Sequence, residues 1–157
     1  MAGCGKSTLG KSIAEKYDLS FVDTDKLIES NWQMTLEGIK TKYGYETVIQ
    51  SEQEVILNLD KSIQIISTGG SAVYSEQSMN HLGKKAKIIF LNVDQNEIEK
   101  RITNFATRGI TKRPGQSFSS LFKERQKLYM KYFDYKVDTT HLTIDATLKI
   151  VEKIAQS

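Results

Sequence analysis

The sequence predicts one α/β domain in three layers, with helices on both faces of a central parallel sheet. Short apolar runs alternate with longer segments of helical periodicity along all 157 residues, which is typical of parallel strands joined by helices. A chain of this length suits one domain with its own core and is too short for two comfortable ones. We therefore treat residues 1–157 as a single folding unit.

Four strands are predicted from short runs rich in β-branched and aromatic residues, at 20–22, 63–67, 87–93 and 142–144. Helices are predicted where apolar residues recur every three or four positions. These segments are 7–17, 24–30, 36–43, 46–60, 76–82, 95–103, 119–133 and 146–155. Segment 104–117 is polar and contains the only proline, so we predict a mobile loop there.

Composition excludes several classes of protein. A net charge of +3 suits anionic ligands, but there is no dense run of Lys and Arg, so we expect no nucleic-acid partner. The apolar stretches are too short to span a bilayer, and the first residues lack the apolar segment of a signal peptide. The one cysteine excludes an intrachain disulfide, and the two histidines are isolated, so protein-held zinc is not expected. We expect a cytoplasmic protein with no membrane partner.

The strongest chemical signal is the start of the chain, residues 3–8, which read GCGKST. Phosphate binding needs successive backbone N–H groups pointing into one concavity, and glycines allow that turn. A lysine suits the β- and γ-phosphates, a hydroxyl suits Mg²⁺, and the following helix directs its positive end at the same place. We predict an ATP phosphate site made of Gly3, Cys4, Gly5, Lys6, Ser7 and Thr8.

Such a phosphate-binding loop, or P-loop, usually follows a hydrophobic strand at the centre of the sheet. No such strand precedes Gly3, and the glycine that usually opens the loop would precede Met1. Without that strand, its neighbours lack backbone partners. We expect a sheet that lacks its N-terminal central strand, and a natural chain that begins upstream of Met1.

Asp23 and Asp25 lie two positions apart at the end of the first predicted strand, so their side chains face the same way, toward the ligand crevice of an open α/β sheet. One carboxylate can hold Mg²⁺ through water, and the other can accept the proton of an attacking hydroxyl group. A simpler interpretation is that Thr24 or Asp25 caps the next helix. The two interpretations are compatible.

Five short motifs, taken in order, resemble those of the shikimate kinase family. They are GCGKST at 3–8, FVDTD at 21–25, TGG at 68–70, KRP at 112–114 and ERQKLY at 124–129. The resemblance covers the chain apart from the absent strand. It implies a nucleoside-monophosphate-kinase type of fold that uses Mg²⁺ and ATP to convert shikimate to 3-phosphoshikimate, in aromatic amino-acid biosynthesis. It also implies a monomer with a substrate-binding helical region at about 30–60 and a lid at about 104–117.

At the nucleotide side, the resemblance implies that Lys6 contacts the transferring phosphate and that Ser7 ligates Mg²⁺. Asp23 would position the metal through water. Arg113 would close over ATP from the lid, assisted by Arg108. The alternative for a Lys–Arg pair in a polar loop is a solvated surface.

At the acceptor side, the resemblance implies that Asp25 binds the reacting hydroxyl group and acts as the base or beside it. Gly69 and Gly70 would offer backbone N–H groups, although a Gly-Gly pair can also be only a tight turn. Arg125 would grip the substrate carboxylate in a bidentate pair. Its simpler interpretation is an exposed helix charge paired with a nearby Glu.

Three positions depart from the family pattern. The family carries Phe-Arg-x-x-Glu on the helix after residue 44, and here Val48 and Ile49 replace the Phe and the Arg ahead of Glu52. One lost charged partner corresponds to about 1.5–3 kcal/mol of substrate binding, unless Lys40 or Lys42 substitutes. The third glycine of the family's Gly-Gly-Gly is Ser71.

These departures leave two other functions open. One is a kinase of another small acceptor, such as a sugar, a nucleoside or a nucleotide. The other is a non-catalytic protein that binds a nucleotide through the same P-loop.

Overall fold

The computed structural model describes residues 1–102 and 110–156. Four strands lie in this part of the chain: β1 Phe21–Asp23, β2 Ile65–Ser67, β3 Ile89–Asn92 and β4 Tyr135–Asp138. The α-helices are α1 Lys6–Tyr17, α2 Thr24–Trp32, α3 Leu36–Tyr43, α4 Tyr45–Leu57, α5 Glu76–Gly83, α6 Gln95–Arg101, α7 Phe118–Tyr129 and α8 Ile144–Gln156. A short 3₁₀ helix covers Ala72–Tyr74. The α/β prediction is confirmed, and no described helix is long and apolar enough to cross a membrane.

The fourth strand was predicted at the wrong place. Segment 142–144 is not a strand, because Thr143 caps α8 by accepting a hydrogen bond from the Ala146 N–H at 3.2 Å. The strand is instead β4, in which only Val137 is fully buried. Its apolar content is too low to stand out in the sequence, and it is held by parallel pairing along β3.

The strands form two parallel pairs, β1 with β2 and β3 with β4. A cleft lies between the pairs, lined by Ile65 and Ile66 of one pair and by Ile89 and Leu91 of the other. Side chains of α1, α5 and α8 also line it. This division fits the expectation of a sheet without its central strand.

The buried side chains form two clusters. The larger cluster joins both strand pairs to α1, α5, α7 and α8. The smaller one is made of Ile28, Leu36, Ile39, Val48 and Val55, and it packs α2, α3 and α4 together. The helical region at about 30–60 therefore has a core of its own, beside the ends of β1 and β2.

Candidate active site at the ends of β1 and β2

The P-loop turns sharply into α1. Gly3 and Gly5 have φ values of 77° and 91°, in the left-handed region that favours glycine. Gly5 is the N-cap residue of α1, and no described side chain caps that helix. The N–H groups of its first turn therefore have no capping partner, which is the arrangement that receives a phosphate.

Lys6 folds back over this loop. Its Nζ donates to the carbonyl oxygen of Met1 at 2.9 Å and lies 3.8 Å from the Sγ of Cys4. Burial acts to lower the pKa of Lys6, but Cys4, Tyr129, Asp25 and Glu52 together raise it above its usual value. The ammonium group therefore stays charged at the place where phosphates would arrive.

Cys4 is buried between the two glycines. Burial acts to raise the pKa of its thiol, but Lys6 and the amino group of Met1 outweigh it and bring the value to about 7. Its side chain belongs to the larger buried cluster, so its contribution to a phosphate site would come from its backbone N–H group.

A line of oxygen atoms lies beside the P-loop. Asp23 and Ser67 are register partners in β1 and β2, and the Oγ of Ser67 is 3.4 Å from the Oγ of Ser7. Ser7 and Thr8 are exposed in the first turn of α1. Ser67 therefore lies beside both Ser7 and Asp23, the two residues predicted for the metal.

Asp23 has a further task that the sequence suggested for its neighbours. It is the N-cap of α2, and its Oδ1 accepts from the N–H groups of Asp25 at 3.0 Å and Lys26 at 3.3 Å. Both bonds use Oδ1, which leaves Oδ2 for water. The capping prediction for Thr24 or Asp25 is therefore wrong, and Asp25 is not occupied by that role.

Asp25 faces the turn after β2. A Cβ atom on Gly69 would stand 2.3 Å from the Oδ1 of Asp25 and 2.5 Å from the Oε1 of Glu52, so only glycine fits there. The N–H group of Gly69 donates to the Oγ1 of Thr24 at 2.8 Å, so it is engaged within the protein. Burial raises the pKa of Asp25, whereas the nearby Lys6 acts in the opposite direction.

Gly70 touches the other side of the site. Its missing Cβ would lie 2.7 Å from the Nη1 of Arg125. The hydroxyl group of Tyr129 donates to the carbonyl oxygen of Gly70 at 2.9 Å, and burial raises the pKa of Tyr129 to about 12, so this donor stays protonated. Of the two glycines predicted to offer a backbone N–H group to the substrate, Gly69 already donates to Thr24, which leaves Gly70.

Arg125 is only 2% exposed. One of its terminal nitrogens donates to the carbonyl oxygen of Thr111, and its guanidinium lies 5.4 Å from the ring centre of Tyr74. None of the ion pairs in the described chain includes Arg125, and its Nε is buried without a partner. It is therefore not an exposed helix charge.

Of the predicted lid residues, Arg113 is described, and it contacts α7 and not the P-loop. The side chain of Arg113 is 58% exposed and pairs with Glu124 of α7 at 3.1 Å. Arg108 lies outside the described residues, as does 103–109 as a whole, which includes part of the predicted lid. Lys40 pairs with Glu37, and Lys42 lies over the ring of Tyr43, so these contacts give neither lysine the role of the absent arginine.

Sequence reasoning missed Glu52, Ser67 and Tyr129 as members of this site. Glu52 carried a detectable signal, because it occupies a core-facing position of α4 between Val48 and Val55. A carboxylate on the buried stripe of a helix is rare unless it is partnered. Tyr129 ends the motif at 124–129, but its contact with Gly70 depends on tertiary packing. Ser67 carried no signal, since its place in the site depends on strand register.

Comparison with known proteins points to a single family. The family model of shikimate kinase matches residues 2–156. The chain is 34% identical over 130 residues to the shikimate kinase of Sulfurihydrogenibium sp. (strain YO3AOP1), covering 81% of this chain and 77% of the relative. It is 33% identical over 155 residues to that of Thermodesulfovibrio yellowstonii, covering 97% and 87%.

A solved structure confirms the fold. The shikimate kinase from Acinetobacter baumannii in complex with shikimate aligns with a TM-score of 0.86 over 98% of this chain and 88% of that one, at 23% identity. An uncapped P-loop, paired aspartates and a buried arginine thus occur in a chain whose whole length matches one family of phosphotransferases. This chain belongs to the shikimate kinase family.

Proposed function

We propose that this protein transfers the γ-phosphoryl group of ATP to a hydroxyl group of shikimate, giving 3-phosphoshikimate and ADP. The observation that carries the proposal is Arg125, a buried guanidinium without an ionic partner in the described chain, across Gly70 from the P-loop. An unpaired buried charge is costly, and an incoming carboxylate would offset that cost. Shikimate carries one carboxylate together with hydroxyl groups.

The reaction is an in-line displacement. The acceptor oxygen forms a bond to the γ-phosphorus while the bond to the β,γ-bridging oxygen breaks, and ADP leaves. Asp25 accepts the proton of the attacking hydroxyl group. The first-turn amides of α1 and the ammonium of Lys6 stabilise the charge on the phosphates.

Ser7 and Asp23 suit Mg²⁺ in this site. A hydroxyl and a carboxylate oxygen are hard ligands, and Mg²⁺ typically takes one or two of these with waters and substrate phosphates. Ser7 would ligate directly, and the Oδ2 of Asp23 would bind through water. When bound, the ion would neutralise phosphate charge during transfer.

Arg113 and Arg108 are proposed to act from the lid at about 104–117. Arg113 would exchange Glu124 for the ATP phosphates when nucleotide binds, which its exposure permits. An arginine in that position stabilises charge in the transferring group. We further propose, from the family to which the chain belongs, that the protein acts as a monomer in the cytoplasm.

Ile49 favours a second candidate, a kinase of another small hydroxyl acceptor. With Lys40 and Lys42 engaged elsewhere, Arg125 would hold a carboxylate without the second cation of the family pattern. An acceptor with a weaker need for carboxylate recognition would lose less from this change.

An ADP-release assay decides between these acceptors. We expect turnover with shikimate and much weaker turnover with its methyl ester, which lacks the negative charge. Sugars, nucleosides and hydroxy acids form the comparison panel. Asp25→Asn should lower kcat far more than it raises the KM for ATP. Equal rates with shikimate and its ester, or a faster member of the panel, would contradict the shikimate assignment.

A further inference from the structure

Glu52 is a buried carboxyl group inside the acceptor end of the site. Its residue is 1% exposed, on the middle of α4. None of the ion pairs formed by the described residues includes it. A carboxylate in such a place normally has a cation as its partner. The groups that surround Glu52 therefore determine whether its carboxyl group is protonated or ionised.

Two hydroxyl groups hold Glu52. Ser71 donates to its Oε2, and Thr24 donates to its Oε1 at 3.3 Å. Thr24 also accepts the N–H of Gly69 at 2.8 Å. Through these bonds Glu52 ties α4 to the start of α2 and to the Gly69–Ser71 turn, the two segments that frame the acceptor.

The charged and titratable groups that face Glu52 come from three elements. Asp25 faces it from α2, Lys6 from α1, and Arg125 and Tyr129 from α7. From its own helix the residue one turn earlier is Ile49, which carries no charge. Burial, followed by the adjacent Asp25, raises the pKa of Glu52 to about 7, against the smaller opposite effects of Ser71, Arg125 and Lys6.

We propose that Glu52 is a positioning residue that works as a neutral, protonated acid, holding the Gly69–Ser71 turn beside Asp25 through Ser71 and Thr24. Both oxygens accept from a hydroxyl group, Oε2 from Ser71 and Oε1 from Thr24. Oε1 is the oxygen that shares with Asp25 the space over Gly69, so we place the proton on Oε1, where it faces the Asp25 carboxylate. In this form Glu52 adds no second negative charge where a carboxylate substrate and ATP must bind. The proposal deepens the proposed function and rests on it for the identity of the acceptor.

The hydrogen bond from Ser71 to Glu52 involves a position at which this chain departs from the family pattern. A serine at this position supplies the donor that an apolar Ile49 cannot supply. A hydroxyl donor is compatible with a neutral acid, whereas an arginine would favour the ionised form. Two of the departures from the family pattern, Ile49 and Ser71, are thus linked through one carboxyl group.

The kinetic test compares Glu52→Ala with Glu52→Gln, because glutamine has the shape of the neutral acid and can accept from Ser71. We expect the alanine variant to raise the KM for the acceptor on the order of tenfold, about one buried hydrogen bond, with the KM for ATP little changed. Glutamine should restore most of that loss. A folded glutamine variant as impaired as the alanine one would overturn the proposal.

A second test needs no substrate. An acid whose pKa is raised in the folded state keeps a proton there that the unfolded chain has released, so its contribution to the free energy of unfolding falls as pH rises from about 5 to about 8. The urea midpoint of the wild type should therefore fall relative to that of Glu52→Gln over this range. Glu54→Gln, an exposed change on the same helix, is the control and should show no such divergence.

The two tests separate the proposals. If wild-type protein turns over no shikimate, the proposed function fails, while the unfolding comparison still decides the state of Glu52. A wild-type midpoint that stays parallel to that of Glu52→Gln would mean an ionised Glu52 and would overturn the inference, whatever the acceptor.

Discussion

The phosphate end and the acceptor end of the site differ in how they are built. The phosphate end is one continuous segment, residues 3–8, and its proposed binding groups are the backbone N–H groups of a glycine turn and an uncapped helix start. The acceptor end joins four separate stretches through side chains: Asp25, Glu52, the Gly69–Ser71 turn and Arg125. One end depends on backbone shape, and the other depends on buried polar contacts.

Because of this difference, substitutions at the two ends should change turnover and the free energy of unfolding to different extents. At the phosphate end Ser7 and Thr8 are exposed, and the half-buried Lys6 bonds through its Nζ to Met1 and Cys4 in the first residues of the chain. At the acceptor end Glu52 and Arg125 are almost completely buried, so a change there alters the free energy of unfolding as well as turnover. Substitutions at the two ends should therefore have different signatures.

The largest effect is expected at the phosphate end, from Lys6→Ala. Loss of the ammonium should lower kcat by at least about 10²–10³-fold, the scale for removing one donor to a transition-state charge. The urea midpoint should change little. Lys11→Ala is the matched control, because Lys11 lies on the same helix, is exposed, and forms its ion pair within the described chain with Glu15 at 3.7 Å. Substantial remaining turnover in Lys6→Ala would refute the assignment of the P-loop.

At the acceptor end, Arg125→Lys should raise the KM for shikimate by about 10–100-fold, since lysine keeps the charge but loses the planar fork. The KM for ATP should stay near the wild-type value. Arg101→Lys serves as a control, because Arg101 contacts Glu97 and backbone carbonyls away from this site. Parallel rises in both KM values would assign Arg125 to general folding instead of carboxylate recognition.

The same difference explains what could be predicted from the sequence. The P-loop and its glycines were predictable, because adjacent residues define them. Asp25 and Arg125 were found through short motifs, whereas their surroundings were not: Glu52 meets Ser71 and Thr24 only after α4 packs against the strand ends. Strand β4 was missed for a related reason, because it is stabilised by backbone pairing with β3 and has little apolar content of its own.

A substitution at Gly69 tests how tightly the acceptor end is packed. In Gly69→Ala the new methyl group would overlap Asp25 and Glu52, and overpacking of this kind typically costs about 1–3 kcal/mol of unfolding free energy. Chemical denaturation measures the loss. Gly83→Ala is the control, because its Cβ would meet only Ile88 at 3.8 Å. A Gly69→Ala protein as stable as wild type would show that this turn can move to accept a methyl group. It would contradict the conclusion that the acceptor end depends on tight buried contacts.

The smallest effect is expected from Ile49→Arg, which restores the family's residue on α4 one turn before Glu52. Ile49 is half-buried, so part of the gain from a new cation is spent on ordering its long side chain, and we expect the KM for shikimate to fall by about tenfold at most. Ile49→Leu keeps the position apolar and is the control.

The arginine should also change the protonation of Glu52. A cation beside that carboxyl group favours its ionised form, so the pH-dependent difference in urea midpoint between Glu52 and its glutamine substitution should shrink in the Ile49→Arg background. A lower KM without this change would mean that the new arginine reaches the substrate but not Glu52. A smaller pH dependence without a lower KM would mean that the new arginine reaches Glu52 but not the substrate. Residue 49 would then set the charge of the acceptor end without contacting the acceptor.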